Sequence, residues 1–290
     1  MTSMQALFPF LRPYRRWVIL APIMMMLEVL MDLMQPRLVQ DIIDSGVAKG
    51  DLGEVLRIGG LMIALALVGL IGGMVCTVYA LKAALYFGAD VRSALFRKVQ
   101  GLSFTNLDEL ETGKLVTRLT NDVTQVQELV GMALRIMVRA PLLLVGSVIM
   151  AVLTAAKLSL LFVVLIPLIL LILVLIFRRS FPMFSRVQGQ LDRINVLMQE
   201  NLAGVRVVRA FARAPYEIAR FAGVNEDLMA ANLSAVRFSA LVMPLMMLVM
   251  NGATVAVLWF GGHQVNDGHL EVGQLVAFSN YLMQSLFSLM

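Results

Sequence analysis

Six long apolar stretches dominate this sequence and restrict what it can fold into. A bilayer core about 30 Å thick requires about 20 consecutive apolar residues in a helix, and backbone groups in lipid must be satisfied within their own segment. The sequence therefore predicts an all-α membrane protein with six transmembrane helices. The predicted spans are residues 17–39, 58–81, 140–156, 158–177, 238–262 and 270 onward.

Composition agrees with this class, since 59% of the 290 residues are hydrophobic and only 15% are charged. In a soluble protein, the net charge of +5 would suggest binding to nucleic acid. Here the positive residues follow the membrane topology, so we expect no nucleic-acid partner. One cysteine, Cys76, excludes a disulfide within the chain. Two histidines and one cysteine provide no metal constellation.

Lysines and arginines indicate the orientation of the chain. Twenty of the 24 lie in three regions: three before the first span, eight in residues 82–139 and nine in residues 178–237. Cytoplasmic segments carry the excess of positive charge. Both termini and both long polar segments are therefore predicted to be cytoplasmic, which implies a multi-pass protein of the plasma (inner) membrane.

The two long polar segments, 82–139 and 178–237, keep a helical periodicity almost throughout. If each is an antiparallel pair of helices of about 25 residues, each arm extends about 37 Å. The membrane helices should then continue into the cytoplasm. A helix-breaking stretch lies at each tip, at residues 103–113 and 212–216.

Residues 200–221 at the second tip predict an amphipathic helix that leaves the membrane and is interrupted by Pro215. Proline removes a donor and disfavours α geometry at Ala214. We expect a break there and a short helix with Pro215 in its first turn. This knuckle would present Tyr216, Glu217 and Arg220. A docking surface and an ordinary solvated loop are both consistent with this pattern.

Polar residues within the first span suggest a substrate cavity. Glu28, Asp32 and Gln35 share one helical face, and carboxylates inside a membrane must face protein or water. The stripe could bind lipophilic cations, or it could hydrogen-bond to a neighbouring helix or lie near headgroups. Gly69 and Gly73 form a GxxxG pair that allows close helix approach, although glycine is common in membrane helices.

Several sequence stretches resemble the transmembrane domain of ABC exporters: TGKLVTRLTNDVTQVQ, ENLAGVRVVRAFAR with YEIARF, and VGQLVAFSNYLMQ. FGADVRSALFRKV and MVRAPLLLVGS are most similar to bacterial multidrug half-transporters, particularly members of heterodimers. The resemblance covers essentially the whole chain, residues 1–290, as one domain. Ala214 and Pro215 depart from the family, whose members often have acidic residues there.

The resemblance implies two coupling helices that rest on nucleotide-binding domains. The first would comprise Phe104, Thr105, Asn106, Leu107, Asp108, Glu109 and Leu110. The second would comprise Arg213, Ala214, Pro215, Tyr216, Glu217 and Arg220. The implied partners are a second half-transporter, with a heterodimer favoured, the nucleotide-binding domains with their ATP and Mg²⁺, the bilayer and an amphipathic small-molecule substrate.

Candidate cavity residues are Glu28, Asp32, Gln35, Met246, Asn251 and Asn280. Methionines such as Met246 suit promiscuous pockets, and ordinary membrane-core filling is the alternative.

The chain carries no phosphate-binding loop, because its only Gly-Lys pair, at residues 113–114, has aspartate five residues before the glycine. We expect a domain cut within the sixth helix, with catalysis supplied elsewhere. The leading function is ATP-driven export of amphipathic compounds by alternating access. A lipid or peptide exporter of the same fold remains open, as do a proton-coupled secondary transporter using Glu28 or Asp32 and a structural membrane scaffold. An inverted repeat of broken spans, typical of secondary transporters, is not evident.

Overall fold

The computed structural model describes residues 7–102 and 112–289, and all regular structure in these ranges is helical. The predicted all-α fold is therefore confirmed. The helices are α1 (Arg15–Asp41), α2 (Leu52–Gln100), α3 (Thr112–Thr117), α4 (Val123–Thr154), α5 (Leu160–Ala203), α6 (Val205–Ala210), α7 (Ala214–Ala240), α8 (Val242–Asn266) and α9 (Val272–Ser288). A 3₁₀ helix, Phe8–Tyr14, precedes α1, and π-helical segments occupy Ile42–Val47 and Arg118–Asp122.

The chain forms two compact units. Residues 1–159 and 257–290 make up the first, and residues 160–256 make up the second. Helix α8 begins in the second unit and ends in the first. In the first unit, α1 packs against α2, α4 and α9, and α4 also packs against α2 and α9. In the second unit, α5 packs against α7.

A four-residue repeat explains which face of α1 is buried. Ala21, Met25, Val29 and Leu33 recur one turn apart, and all four are buried. The polar stripe of Glu28 and Asp32 is offset from this seam by one residue, or about 100° around the helix. It therefore lies at the border of the helix interface, where it can contact neighbouring helices and still face an open space.

The predicted continuation of membrane helices into the arms is confirmed. Helix α2 runs without interruption through the second span into the first arm, and its 49 residues correspond to about 73 Å. Helix α5 likewise continues for 44 residues, from the fourth span into the second arm. The tip of the first arm, with the proposed coupling helix of residues 104–110, lies outside the described residues.

Five helical segments in the described ranges are long and apolar enough to cross a membrane: Phe8–Val47, Leu52–Gln100, Gly113–Thr154, Leu160–Ala203 and Ala214–Asn266. These segments contain the first, second and fifth predicted spans, residues 140–154 of the third and residues 160–177 of the fourth. The sixth apolar run also forms a helix, α9, but its 17 residues are fewer than the roughly 20 that a span requires. The predicted count of six spans is thus not confirmed in full.

At the second tip, the structure confirms a helix break followed by Pro215 in the first turn of the next helix. The break itself falls on residues 211–213, where Ala212 has a φ of 50°. The prediction of a short helix after the break is wrong, because α7 continues for 27 residues to Ala240. The preceding helix is also interrupted at Gly204, between α5 and α6.

Candidate functional site

A groove with a volume of about 850 Å³ lies between α1, α2 and α4 in the first unit. Its apolar and small residues are Met25, Met31, Ala66, Gly69, Leu70, Gly73, Met74, Val78 and Ile136. Four charged side chains also line it: Glu28, Asp32, Arg135 and Arg139. A mainly apolar cavity of this size with a few convergent polar groups is typical of a small-molecule site.

Arg139 of α4 joins the two carboxylates of α1. Its Nη1 donates to Glu28 Oε1 at 2.8 Å, and its Nη2 donates to Asp32 Oδ2 at 3.0 Å. Residues four apart on a helix lie about 5–6 Å from one another, so both fall within reach of one planar guanidinium. The acidic face predicted from the sequence therefore pairs with a neighbouring helix and also borders an open groove.

Gly73 of α2 provides the space for the Glu28 side chain. A Cβ built on this glycine would lie 2.7 Å from Glu28 Oε2, which is closer than real contacts allow. A Cβ on Gly69, one turn earlier, would lie 3.2 Å from Met31 Cβ. The two glycines of the GxxxG pair thus allow α1 and α2 to approach closely. Gly73 does this beside the ion pair between Glu28 and Arg139.

Gln35 continues the polar stripe and connects α1 to α2 in a different way. Its Nε2 donates to the carbonyl oxygen of Met62 at 3.1 Å. Gln35 and Asp32 also line a second cavity of about 460 Å³, together with Asn280 and Gln284 of α9. Three of the predicted cavity residues, Asp32, Gln35 and Asn280, therefore meet at this second cavity.

The remaining two predicted cavity residues belong to the second unit. Met246 is buried, with 1% of its surface exposed, whereas Asn251 is exposed. The structure does not test a role for either residue in binding, and both assignments stay predictions.

The sequence does not assign four residues of the first unit to the site: Arg135, Arg139, Tyr281 and Gln284. Arg139 and Arg135 line the groove, and the Tyr281 hydroxyl donates to the Leu33 carbonyl at 2.8 Å, which fixes α9 against α1. Arg135 and Arg139 precede the third predicted span in the sequence, which does not show which groups they face. Gln284 Oε1, also missed, is buried and has no hydrogen-bond partner in the described part of the chain.

The knuckle at residues 211–217 is held by its backbone and by polar contacts. The Arg213 amide donates to the Val208 carbonyl at 2.9 Å. Asn201 donates to Glu217 at 2.7 Å, and Arg220 donates to Glu200 at 2.9 Å, so α5 and α7 are linked beside the turn. The hydrogen bond to Glu200 also raises the pKa of Arg220, and that side chain stays charged.

The outer surface of the knuckle is apolar and exposed. Phe211, Tyr216 and Ile218 are 74%, 60% and 69% exposed. Two shallow cavities lie beside them. One of about 410 Å³ is lined by residues of α5, α6 and the start of α7, and one of about 520 Å³ is lined by residues of α6, the turn and the start of α7. Exposed rings around a fixed turn provide a surface on which another protein can pack.

Comparison with known proteins identifies the class of this membrane fold. Residues 18–289 match the family model described as the ABC transporter transmembrane region. The chain belongs to this family, and the resemblance to an ABC exporter transmembrane domain is confirmed.

Individual relatives agree with this assignment. The chain is 37% identical over 278 residues to the uncharacterized ABC transporter ATP-binding protein YfiB of Bacillus subtilis, a match that covers 96% of this chain and 48% of YfiB. It is 31% identical over 194 residues to a fatty acid ABC transporter ATP-binding/permease protein of Mycobacterium tuberculosis, covering 67% of this chain and 31% of that protein. An ATP-dependent lipid A-core flippase of Syntrophus aciditrophicus is 29% identical over 195 residues, covering 67% of this chain and 32% of the flippase.

The chain spans about half the length, or less, of these relatives. Their names describe ATP-binding proteins or ATP-dependent transport. Partnership of the transmembrane region with ATP-binding domains is therefore supported at the level of the family.

Proposed function

We propose that this chain is the membrane half of an ATP-driven exporter of amphipathic compounds. The observation that carries the proposal is the groove between α1, α2 and α4, an open and mainly apolar cavity of about 850 Å³ in a member of the ABC transmembrane family. Flexible methionine side chains in its wall, such as Met31 and Met74, are compatible with varied cargo. Multidrug efflux in a bacterium is the specific form of this proposal.

The proposed mechanism is alternating access driven by nucleotide-binding domains. ATP and Mg²⁺ would bind to those domains, whose closure would move the two arms and so change the side to which the groove opens. In this proposal, residues 104–110 would form the first coupling helix and residues 213–220 the second. The exposed rings at the knuckle support the second assignment, since they offer a partner a preformed apolar surface.

We further propose that the active transporter contains a second half, with a heterodimer favoured. It would lie in the plasma (inner) membrane with both termini and both arms in the cytoplasm. The positive-charge bias of the arms supports this orientation.

A lipid exporter is the second candidate. Relatives named as a fatty acid transporter and as a lipid A-core flippase favour it. A proton-coupled carrier that uses Glu28 or Asp32 is less well supported, because both carboxylates accept hydrogen bonds from Arg139.

The experiment is uptake into inverted membrane vesicles that contain the chain assembled with its nucleotide-binding domains and partner half. A fluorescent amphipathic dye and a fluorescent phospholipid are offered as cargo, with ATP alone or with a proton gradient alone. We expect ATP to drive uptake of the dye. Uptake driven by the gradient without ATP would overturn the proposal, and ATP-driven movement of the phospholipid alone would favour the lipid exporter.

The coupling role of the knuckle has its own test, Tyr216→Ala. The tip lies about 37 Å beyond the membrane by helical rise, too far to line a cavity in the bilayer. We expect the substrate-stimulated part of the ATPase rate to fall severalfold while dye affinity stays within about twofold of wild type. If dye affinity falls tenfold and stimulation is retained, the assignment of the tip is wrong.

A further inference from the structure

The charged side chains of the groove differ in whether they have an ion-pair partner. Glu28, Asp32 and Arg139 form one cluster, in which each carboxylate is 3.0 Å or less from the guanidinium. Arg135, one helical turn before Arg139 on α4, lines the same groove and is half-buried. Among the described residues, Arg135 has neither an ion-pair partner nor a hydrogen-bond partner.

We propose that Arg135 is the anchor for an anionic head group, a carboxylate or a phosphate, of an amphiphile whose apolar chain lies in the groove. This inference rests on the proposed function and specifies the substrate class of the same groove. Guanidinium is suited to the task because its planar donors bind carboxylate and phosphate oxygens in pairs.

The depth of Arg135 fits a head group. It precedes the third predicted span by five residues, or about 7 Å of helix. Thr77 and Val78, near the inner end of the second span, also line the groove. Arg135 thus lies one helical turn, about 6 Å, nearer the cytoplasmic end of α4 than Arg139 and its partners, on the side where the polar end of an amphiphile resides, and Leu70 and Met74 line the groove nearer the middle of the second span.

Charge complementarity disfavours a cationic ligand at this position. A cation would have to approach the unpaired Arg135 or compete with Arg139 for the carboxylates. An anion, in contrast, would neutralise Arg135 and accept two of its N–H donors at once in mainly apolar surroundings, where an unpaired charge is costly. The groove is therefore built to accept one negative charge at its inner end.

The test compares ligands that differ only in the head group. The assembled transporter is placed in nanodiscs of phosphatidylcholine, and the affinity of a fluorescent long-chain fatty acid is measured beside that of the fatty alcohol with the same chain and label. We expect wild type to bind the acid about tenfold more tightly than the alcohol, the contribution of a charge-assisted hydrogen bond. Arg135→Gln should remove this preference by weakening the acid alone, and Arg135→Lys should keep part of it.

Two controls separate the possible failures. Arg186→Gln removes one positive charge from an exposed position of α5 and should leave both affinities unchanged. Unchanged binding of the alcohol to Arg135→Gln shows that the groove is intact. Equal loss of acid and alcohol in Arg135→Gln, or equal affinity of wild type for both, would overturn the inference but leave the proposed function standing. Failure of wild type to bind either amphiphile would instead count against the proposed function.

A second arm identifies the source of the anionic group. The same titration is repeated in discs that also contain phosphatidylglycerol. If a membrane lipid occupies the site, the acid should bind more weakly to wild type in these discs, and Arg135→Gln should show no such change. If the occupant is a free amphiphile, wild type should keep its preference in both kinds of disc. Either result supports an anion site at Arg135, and a lipid effect of equal size in both proteins would contradict it.

Discussion

Two arginines, one in each unit, each contact a pair of carboxylates. Comparing them shows how far the contribution of an ion pair to stability depends on its surroundings and how far on its distances. Arg139 contacts Glu28 at 2.8 Å and Asp32 at 3.0 Å, whereas Arg220 contacts Glu200 at 2.9 Å and Glu217 at 3.6 Å. The two arginine side chains are equally exposed, at 44% and 45%. Distances and exposure alone would therefore assign them similar importance.

The surroundings differ. Glu28 and Asp32 lie within an apolar span, where an unpaired charge is expensive. The Arg220 cluster lies in a polar arm, where water solvates each charge and an exposed ion pair contributes little. The ion pairs of Arg139 should therefore contribute substantially to the stability of the groove. The knuckle is stabilised mainly by its backbone hydrogen bonds and by the packing of α5 against α7.

Removal of the Arg139 side chain should cost more stability than any other change considered for these two clusters. Arg139→Gln leaves two carboxylates on one face of α1 without their partner, and we expect a loss of about 1–3 kcal/mol in stability after allowing for the exposed part of the cluster. The apparent melting temperature of the purified transporter should fall by several degrees. Arg220→Gln is the matched control and should melt at nearly the wild-type temperature.

A second variant shows whether the lost stability comes from the carboxylates that are left unpaired. Combining Arg139→Gln with Glu28→Gln and Asp32→Asn removes every charge of the cluster and should recover most of the lost stability. If Arg139→Gln and Arg220→Gln lower the melting temperature equally, the distinction between apolar and aqueous surroundings is wrong.

The next prediction concerns the packing beneath the groove cluster. Gly73→Ala places a methyl group 2.7 Å from Glu28 Oε2, and the other oxygen of this carboxylate accepts from Arg139, so the Glu28 side chain must shift to make room. We expect a loss of about 1 kcal/mol, within the range for overpacking, seen as a lower melting temperature. Gly60→Ala is the control on the same helix, since its added Cβ would have no neighbour within 4 Å, and it should be neutral or slightly stabilising.

Much of this architecture follows from local sequence patterns. Apolar runs predicted the membrane helices, and the spacing of Glu28, Asp32 and Gln35 placed them on one face. Pro215 predicted the helix start after the second tip. These inferences succeed because each depends on residues within one or two helical turns.

Other features depend on contacts that no local pattern specifies. The partner of Glu28 is 111 residues away, and the sequence does not say which face of α4 meets α1. Arg135 and Arg139 are four residues apart and therefore lie on the same face of α4. Among the described residues, however, Arg139 has ion-pair partners and Arg135 has none. The left-handed conformation of Ala212 was also missed, because alanine has no preference for it and the surrounding turn imposes it.

A substitution at Ala212 shows whether backbone conformation sets the shape of the knuckle. Ala212 has a φ of 50°, a region that costs an L-residue roughly 1–2 kcal/mol and glycine very little. Ala212→Gly should relieve this strain, but glycine also makes the unfolded chain more flexible, so the expected net gain is below about 1 kcal/mol. The melting temperature should rise slightly. Ala210→Gly, two residues earlier at the end of α6, relieves no such strain and should lower it. If both variants lower the melting temperature alike, relief of strain at Ala212 does not outweigh the flexibility of glycine, and the polar contacts around Glu217 and Arg220 must hold the turn instead.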